Sequence, residues 1–199
     1  MNAFHAFQAL LFAGVVWVVV RNTRDLVYGA GRVEGRPFVA AVRGALRVGN
    51  LDRAQALADD AGDAWVGRVA RQAFEAHRAH LDVSAMSEEV LLVLRYEAGR
   101  SPRQLRALAS LASAGGLLGA TGELLWLLGG SHGLKGLQAG LPEAIATNGA
   151  LLSLGLGMGT AALALATRAG LAREGRVLFG DARRLADALA RGLDAPGGD

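Results

Sequence analysis

Residues 107–128 read ALASLASAGGLLGATGELLWLL, and the rest of the chain is organised around them. As a helix the stretch is long enough to cross a bilayer, which takes about 20 predominantly apolar residues. It differs from a plain anchor in two ways. Small residues crowd it, at Ala112, Gly115, Gly116, Gly119 and Gly122, and one carboxylate, Glu123, stands inside the apolar run. Steps of three and four residues return to the same helix face. Ala112, Gly116, Gly119 and Glu123 therefore share a stripe, with Leu117, Leu124 and Leu128 away from it. In lipid, packing rather than hydrophobicity drives helix association, and small residues let backbones approach closely. A carboxylate at the centre of the hydrocarbon costs about 2.5–3.5 kcal/mol on insertion scales, so it normally faces a partner helix or a water-filled cavity. The stripe is expected to face other helices or a lumen. The competing reading sets Glu123 near the membrane surface, merely solvated, because only Leu124 to Leu128 separate it from a glycine-rich segment.

Hydrophobic residues make up 52% of the 199 and charged ones 20%, and the mean hydropathy is +0.28. The length suits one domain or two small ones. Apolar residues gathered into spans, beside a separate charged part, account for these numbers together. The net charge of +3 arises from arginines interleaved with Asp and Glu, without an aromatic-rich basic motif, so nucleic acid is not an expected partner. The absence of cysteine excludes disulfides and thiolate metal sites. No glycine-rich loop precedes a Lys-Ser/Thr pair, and no cofactor is expected.

Toward the amino terminus, Ala6–Val20 is an apolar run closed by Arg21 and Arg24. It lacks the positive start and small-residue cleavage site of a secretory signal. Residues 1–20 read as a first transmembrane helix, with a tilted or interfacial helix as the alternative. The arginines place its far end in the cytoplasm and the amino terminus outside.

Residues 21–104 read as a charged, helical cytoplasmic domain. Pro37 suits a first helical turn, and Phe38, Val42 and Leu46 follow on one face. Gly49 fits a helix end and Asn50 the next amino-terminal cap. Ala61 and Gly62 close that helix. Trp65, Val66, Val69, Ala70, Phe74 and His77 resume the helical period. Ser84–Glu97 is the next helix, with Ser87, Glu88 and Glu89 at its start and Met86, Val90, Leu91, Leu94 and Tyr96 on its face. Pro102 marks a helix start running into the second span, 105–128.

Beyond it, 129–140 (GGSHGLKGLQAG) is too rich in glycine for a helix and reads as an external loop. Residues 141–167 form the third span. Gly149, Ser153, Gly157, Thr160 and Ala164 line one face, and Asn148, Gly155, Gly159 and Ala166 another, so packing on two sides is expected. Arg168, Arg173 and Arg176 put the carboxyl end in the cytoplasm. Residues 168–199 then form an amphipathic cytoplasmic tail with Leu178, Leu185 and Leu189. The expected fold is an all-α membrane protein: three transmembrane helices with a helical cytoplasmic domain.

This layout, and the wording of the two long spans, resembles the ExbB/TolQ/MotA proton-channel family. Ala112-Ser113-Ala114-Gly115-Gly116-Leu117-Leu118-Gly119 is similar to the opening of that family's second span, approximately ASAAPLLG, with Gly116 in place of proline, and Gly122 matches a later glycine. Gly140, Glu143, Ala144 and Leu152 match its third span. Phe38 through Ala61 looks like its phenylalanine-headed helix, Gly-Asn break and Ala-rich helix. The resemblance implies an ExbB/TolQ-like fold in the bacterial inner membrane. It also implies a homo-oligomeric ring, a pentamer in the family, around a dimer of a single-span ExbD/TolR-like partner that brings the proton-carrying aspartate. A threonine from each of the second and third spans would line the pore. Proton flow would drive work at the cell envelope, without enzymatic activity.

The chain departs from that pattern at the pore. Glu123 stands at the second-span threonine, with Thr121 two positions away, and Asn148 at the third-span threonine, with Thr147 beside it. Glu143 falls at a family glutamate near the outer pore mouth, an ordinary interfacial charge being the alternative. The expected ion path is thus Glu123, Asn148, Thr147, Thr121 and Glu143. The expected packing positions are Ala112, Gly116, Gly119, Gly155 and Gly159. Such a pore exchanges two hydroxyls for a carboxylate and an amide that cannot titrate.

Two functional readings follow: an ion-channel subunit, or a non-conducting scaffold of an envelope complex. A soluble helical enzyme would need a core to hide three apolar spans. His77 and His80 have a spacing able to hold a metal, against the plainer reading of a solvated face. Ser113 and Ser153 lack a base and are expected to bond back to helix carbonyls.

Overall fold

The computed structural model describes residues 3–30, 33–129 and 149–193, and among them it contains helices and no strand. In chain order these are α1 (Ala3–Arg24), which continues as a π-helical segment at Asp25–Ala30, then α2 (Gly35–Arg47), α3 (Leu51–Asp60), α4 (Trp65–Arg78), α5 (Val83–Gly129) and α6 (Ala150–Leu193). Three of them, α1, α5 and α6, contain stretches long and apolar enough to cross a membrane. The chain divides into two compact units. One comprises Met1–Val20 and Pro102–Gly170, the other Arg21–Ser101 and Leu171–Asp199. The loop expected over 129–140 lies outside the described residues, except for Gly129 at the end of α5. So do Glu143, Thr147 and Asn148.

The charged unit is built from short amphipathic helices closed by local signals. Gly49 (φ 68°) and Gly62 (φ 55°) adopt the left-handed turns that end α2 and follow α3, a conformation glycine reaches without steric cost. Asn50 Oδ1 accepts the Arg53 N–H at 2.9 Å and caps α3. The buried faces carry Phe38, Val39, Val42 and Ala45 of α2, Ala54 and Ala58 of α3, and Trp65, Val69, Ala70, Ala73 and Phe74 of α4. Leu94 of α5 joins them, as do Ala182, Leu185, Ala186, Leu189 and Leu193 of α6. The carboxyl-terminal segment expected as a tail is therefore part of this core, because its leucine stripe closes the apolar surface left open by the shorter helices.

Three further expectations change in α5. Its first turn is capped by Asp82, whose Oδ1 accepts the N–H groups of Ser84 (2.8 Å) and Ala85 (3.1 Å). Ser87 is accordingly a buried interior residue and not a helix start. Tyr96 is exposed, and the inward face is instead Leu94 with Met86, Val90, Leu91 and Ala98. Pro102 begins no helix, since α5 runs through it without a break. A proline there deprives the Ala98 carbonyl of its intrahelical donor, and the two units divide at this residue.

Asp181, 6% exposed, lies against the first residue of α2: a Cβ on Gly35 would stand 2.5 Å from its Oδ2. The carboxylate thus sits at a helix amino end, where backbone amides lack partners and the dipole favours negative charge. Arg184 adds an ion pair to it at 3.3 Å.

The apolar unit is inside-out. Leu10 is 73% exposed and Trp17 67%, with Leu118, Leu125, Leu151 and Met158 also outward, while Gln8 (3%), Glu123 (6%), Ser153 and Thr160 are buried. A helical bundle folded in water arranges these residue types the other way round. Surrounded by hydrocarbon, apolar residues face out and polar ones turn to the bundle interior.

Candidate functional site

The site begins with the glycines of α5, because they decide how closely its neighbours approach. A Cβ on Gly116 would meet the Gly157 Cα of α6 at 2.9 Å, and one on Gly157 would meet the Gly116 Cα at 2.5 Å and the Ala112 carbonyl at 2.7 Å. Farther along, Gly119 faces Ser153: a Cβ there would lie 3.2 Å from the serine Cβ and 3.3 Å from its Oγ. As α5 advances from 116 to 119, its neighbours on α6 retreat from 157 to 153, so the two helices pack antiparallel, backbone against backbone. On another side, Gly115 faces α1, its Cβ position 3.0 Å from the Phe7 ring.

Gln8 of α1 joins all three helices. Its Nε2 donates to the Ser153 carbonyl of α6 at 2.8 Å and, more weakly, to the Gly115 carbonyl of α5 at 3.4 Å. The same nitrogen lies 3.5 Å from the position a Gly119 Cβ would take. The sequence signal for this tie is an amide inside the apolar run Ala6–Val20, since polar side chains within membrane helices generally have a partner.

The structure treats the other site residues unequally. Ala112, Gly116, Gly119 and Glu123 are all buried, and Leu117 on the opposite side is exposed. Glu123 lies inside the bundle and not on its surface. Thr121 is not brought to it: this side chain is exposed, and its hydroxyl donates to the Leu117 carbonyl at 2.8 Å.

Gly155 and Gly159, expected at a packed face, are both exposed, with nothing within 4 Å of a Cβ at either. Within the chain α6 covers only the face of Ser153, Gly157, Thr160 and Ala164, because one glycine-rich neighbour, α5, reaches it there. The Thr160 hydroxyl bonds back to Leu156 at 2.7 Å.

In the charged unit, α4 ends at Arg78 and His80 has φ 54°. His80 therefore lies outside the helix that carries His77. No group of three or more His, Cys, Asp or Glu among the described residues is placed to hold a metal.

No protein-family model, curated protein or solved structure matches this chain. The geometry shows a buried carboxylate on α5, a buried amide on α1 and a buried serine on α6, inside a unit whose outer surface is apolar.

Proposed function

We propose that this chain is an ion-conducting subunit of an ExbB/TolQ-like motor, a member of the ExbB/TolQ/MotA family with altered pore residues. It would act in the bacterial inner membrane with its amino terminus outside and its carboxyl terminus in the cytoplasm. It would form a ring, a pentamer as the resemblance implies, around a single-span ExbD/TolR-like partner. The observation that carries this reading is Glu123, 6% exposed inside a bundle whose outer surface is apolar. A carboxylate costs several kcal/mol there, and an ionisable residue in that setting is by default functional. In this mechanism Glu123 takes and releases the charge of the passing ion. The glycines beside it hold α5 and α6 close, and Gln8 fixes α1 to the α6 backbone so that the carboxylate keeps its place.

The test is proton flux in vesicles that hold this chain and its single-span partner, followed with an internal pH-sensitive dye. Glu123→Gln is expected to cut the flux at least tenfold. Undiminished flux in that variant would end the proposal.

The scaffold reading has one observation in its favour. The Gln8 amide and the Thr121 and Thr160 hydroxyls are spent on backbone carbonyls, which is a structural use of polar groups. It calls for a complex that assembles with its partner yet passes no protons, and the same vesicles separate the two.

A further inference from the structure

We infer that the charged unit binds a short peptide with free ends, about two or three residues long, in a cleft between α5 and α6 at Ser87. The inference does not depend on ion passage and concerns the other unit of the chain.

The cleft encloses about 290 Å³, near the lower end of the range for small-ligand sites. Its first support is Ser87, which lines it. This residue is 2% exposed, and its Oγ is buried with no hydrogen-bond partner among the described residues. The hydroxyls of Ser110, Thr121, Thr160 and Thr167 turn back to the carbonyl four residues earlier; that of Ser87 does not. A buried polar group left unpaired is costly. No bond fixes its χ1, so the hydroxyl can turn between staggered positions to meet a group in the cleft. It both donates and accepts, which suits a peptide bond with its N–H and C=O.

The second support is the pattern of charge along the cleft. The two helices run antiparallel, and in this unit Ala98 of α5 faces Gly175 of α6. Of the lining residues, Arg95 and Arg183 therefore stand toward one end, and Glu88 and Asp187 toward the other. None of the four is in an ion pair among the described residues. Arg183 and Asp187 are one helical turn apart, a spacing at which opposite charges commonly pair. Between the charged ends lie the half-buried Leu91 and Phe179 and the small, buried Ala186.

This pattern selects the ligand. A dianion would be repelled by Glu88 and Asp187, and a dication by Arg95 and Arg183. A molecule with a carboxylate at one end and an ammonium at the other meets opposite charge at both. At 1.5 Å of rise per residue, Arg183 and Asp187 are about 6 Å apart along the helix axis, and Glu88 and Arg95 about 10 Å. Two or three extended residues span about 7–10 Å, whereas a single amino acid is too short to reach both ends. Leu91 and Phe179 give an apolar side chain of the peptide a wall to pack on.

The experiment is isothermal titration calorimetry of the purified full chain in detergent with the tripeptide Ala-Leu-Ala. Saturable binding is expected. Acetylating the peptide's amine, or amidating its carboxylate, is expected to weaken binding by about tenfold or more. Arg183→Gln and Asp187→Asn, both at exposed positions, should do the same while leaving the thermal unfolding midpoint where it is. Ser87→Ala should weaken binding by about two- to tenfold.

No saturable binding at millimolar peptide would overturn the inference, and so would blocked peptides that bind as tightly as the free one. Unchanged binding in any of the three variants would overturn it as well. Glutarate, negative at both ends, binding as tightly as the tripeptide would replace the peptide site with an anion site and overturn it too. The outcomes are separable from those of the proposed function, because proton flux is read from Glu123→Gln and no residue of the cleft enters that measurement.

Discussion

Alanine at position 157 brings a methyl carbon to 2.5 Å from the Gly116 Cα, 2.7 Å from the Ala112 carbonyl oxygen and 2.9 Å from the Gly116 nitrogen. Carbon atoms pack best at about 3.5–4.0 Å, so α5 and α6 must part by about 1 Å locally. The obstructing atoms are helix backbone and cannot rotate away. Two residues earlier, alanine at position 155 would meet nothing within 4 Å. Both replacements gain the same helix propensity, about 0.8–1 kcal/mol, and in the difference between them that gain cancels. What is left is the overpacking cost, about 1–3 kcal/mol, with the upper half expected because backbone meets backbone. For a chain of this size each kcal/mol moves the unfolding midpoint by about 2–4 °C. Thermal unfolding in detergent, followed by circular dichroism, should place Gly157→Ala about 4–12 °C below Gly155→Ala. Midpoints within a degree of each other would refute the close approach of α5 to α6. The reverse order would show that the outer face of α6 is the packed one.

The same measurement checks three further expectations in the charged unit. Leu94→Ala removes a fully buried side chain and should cost about 2–5 kcal/mol, whereas Leu92→Ala, 66% exposed, should stay within about 0.5 kcal/mol of the parent. Gly35→Ala drives a Cβ into the Asp181 side chain and should destabilise by about 1–3 kcal/mol. Its control in the same helix, Gly44→Ala, meets open space and should be neutral or mildly stabilising. Asn50→Ala deletes the cap on the Arg53 N–H and should cost about 1 kcal/mol, with a loss under a few tenths counting against that cap.

Features that depend on a residue and its near neighbours were legible from the sequence alone. Gly49 and Gly62 close helices through their own backbone angles, and Asn50 caps α3 through a side chain that reaches three residues. The three apolar runs, and the shared face of Ala112, Gly116, Gly119 and Glu123, follow from helical period, which is local. Tertiary structure decided what depends on which neighbour arrives. Along α6 the faces of Gly157 and Gly155 are chemically alike, and only the approach of α5 buries the first and leaves the second exposed. Gln8 is one amide in an apolar run until it meets the Ser153 carbonyl, 145 residues away. Residues 171–193 look like a tail until α2 to α4 present the apolar surface that their leucines cover. Period and capping are written within a few residues, but a partner on another helix is chosen by shape and by the need to satisfy buried polar groups.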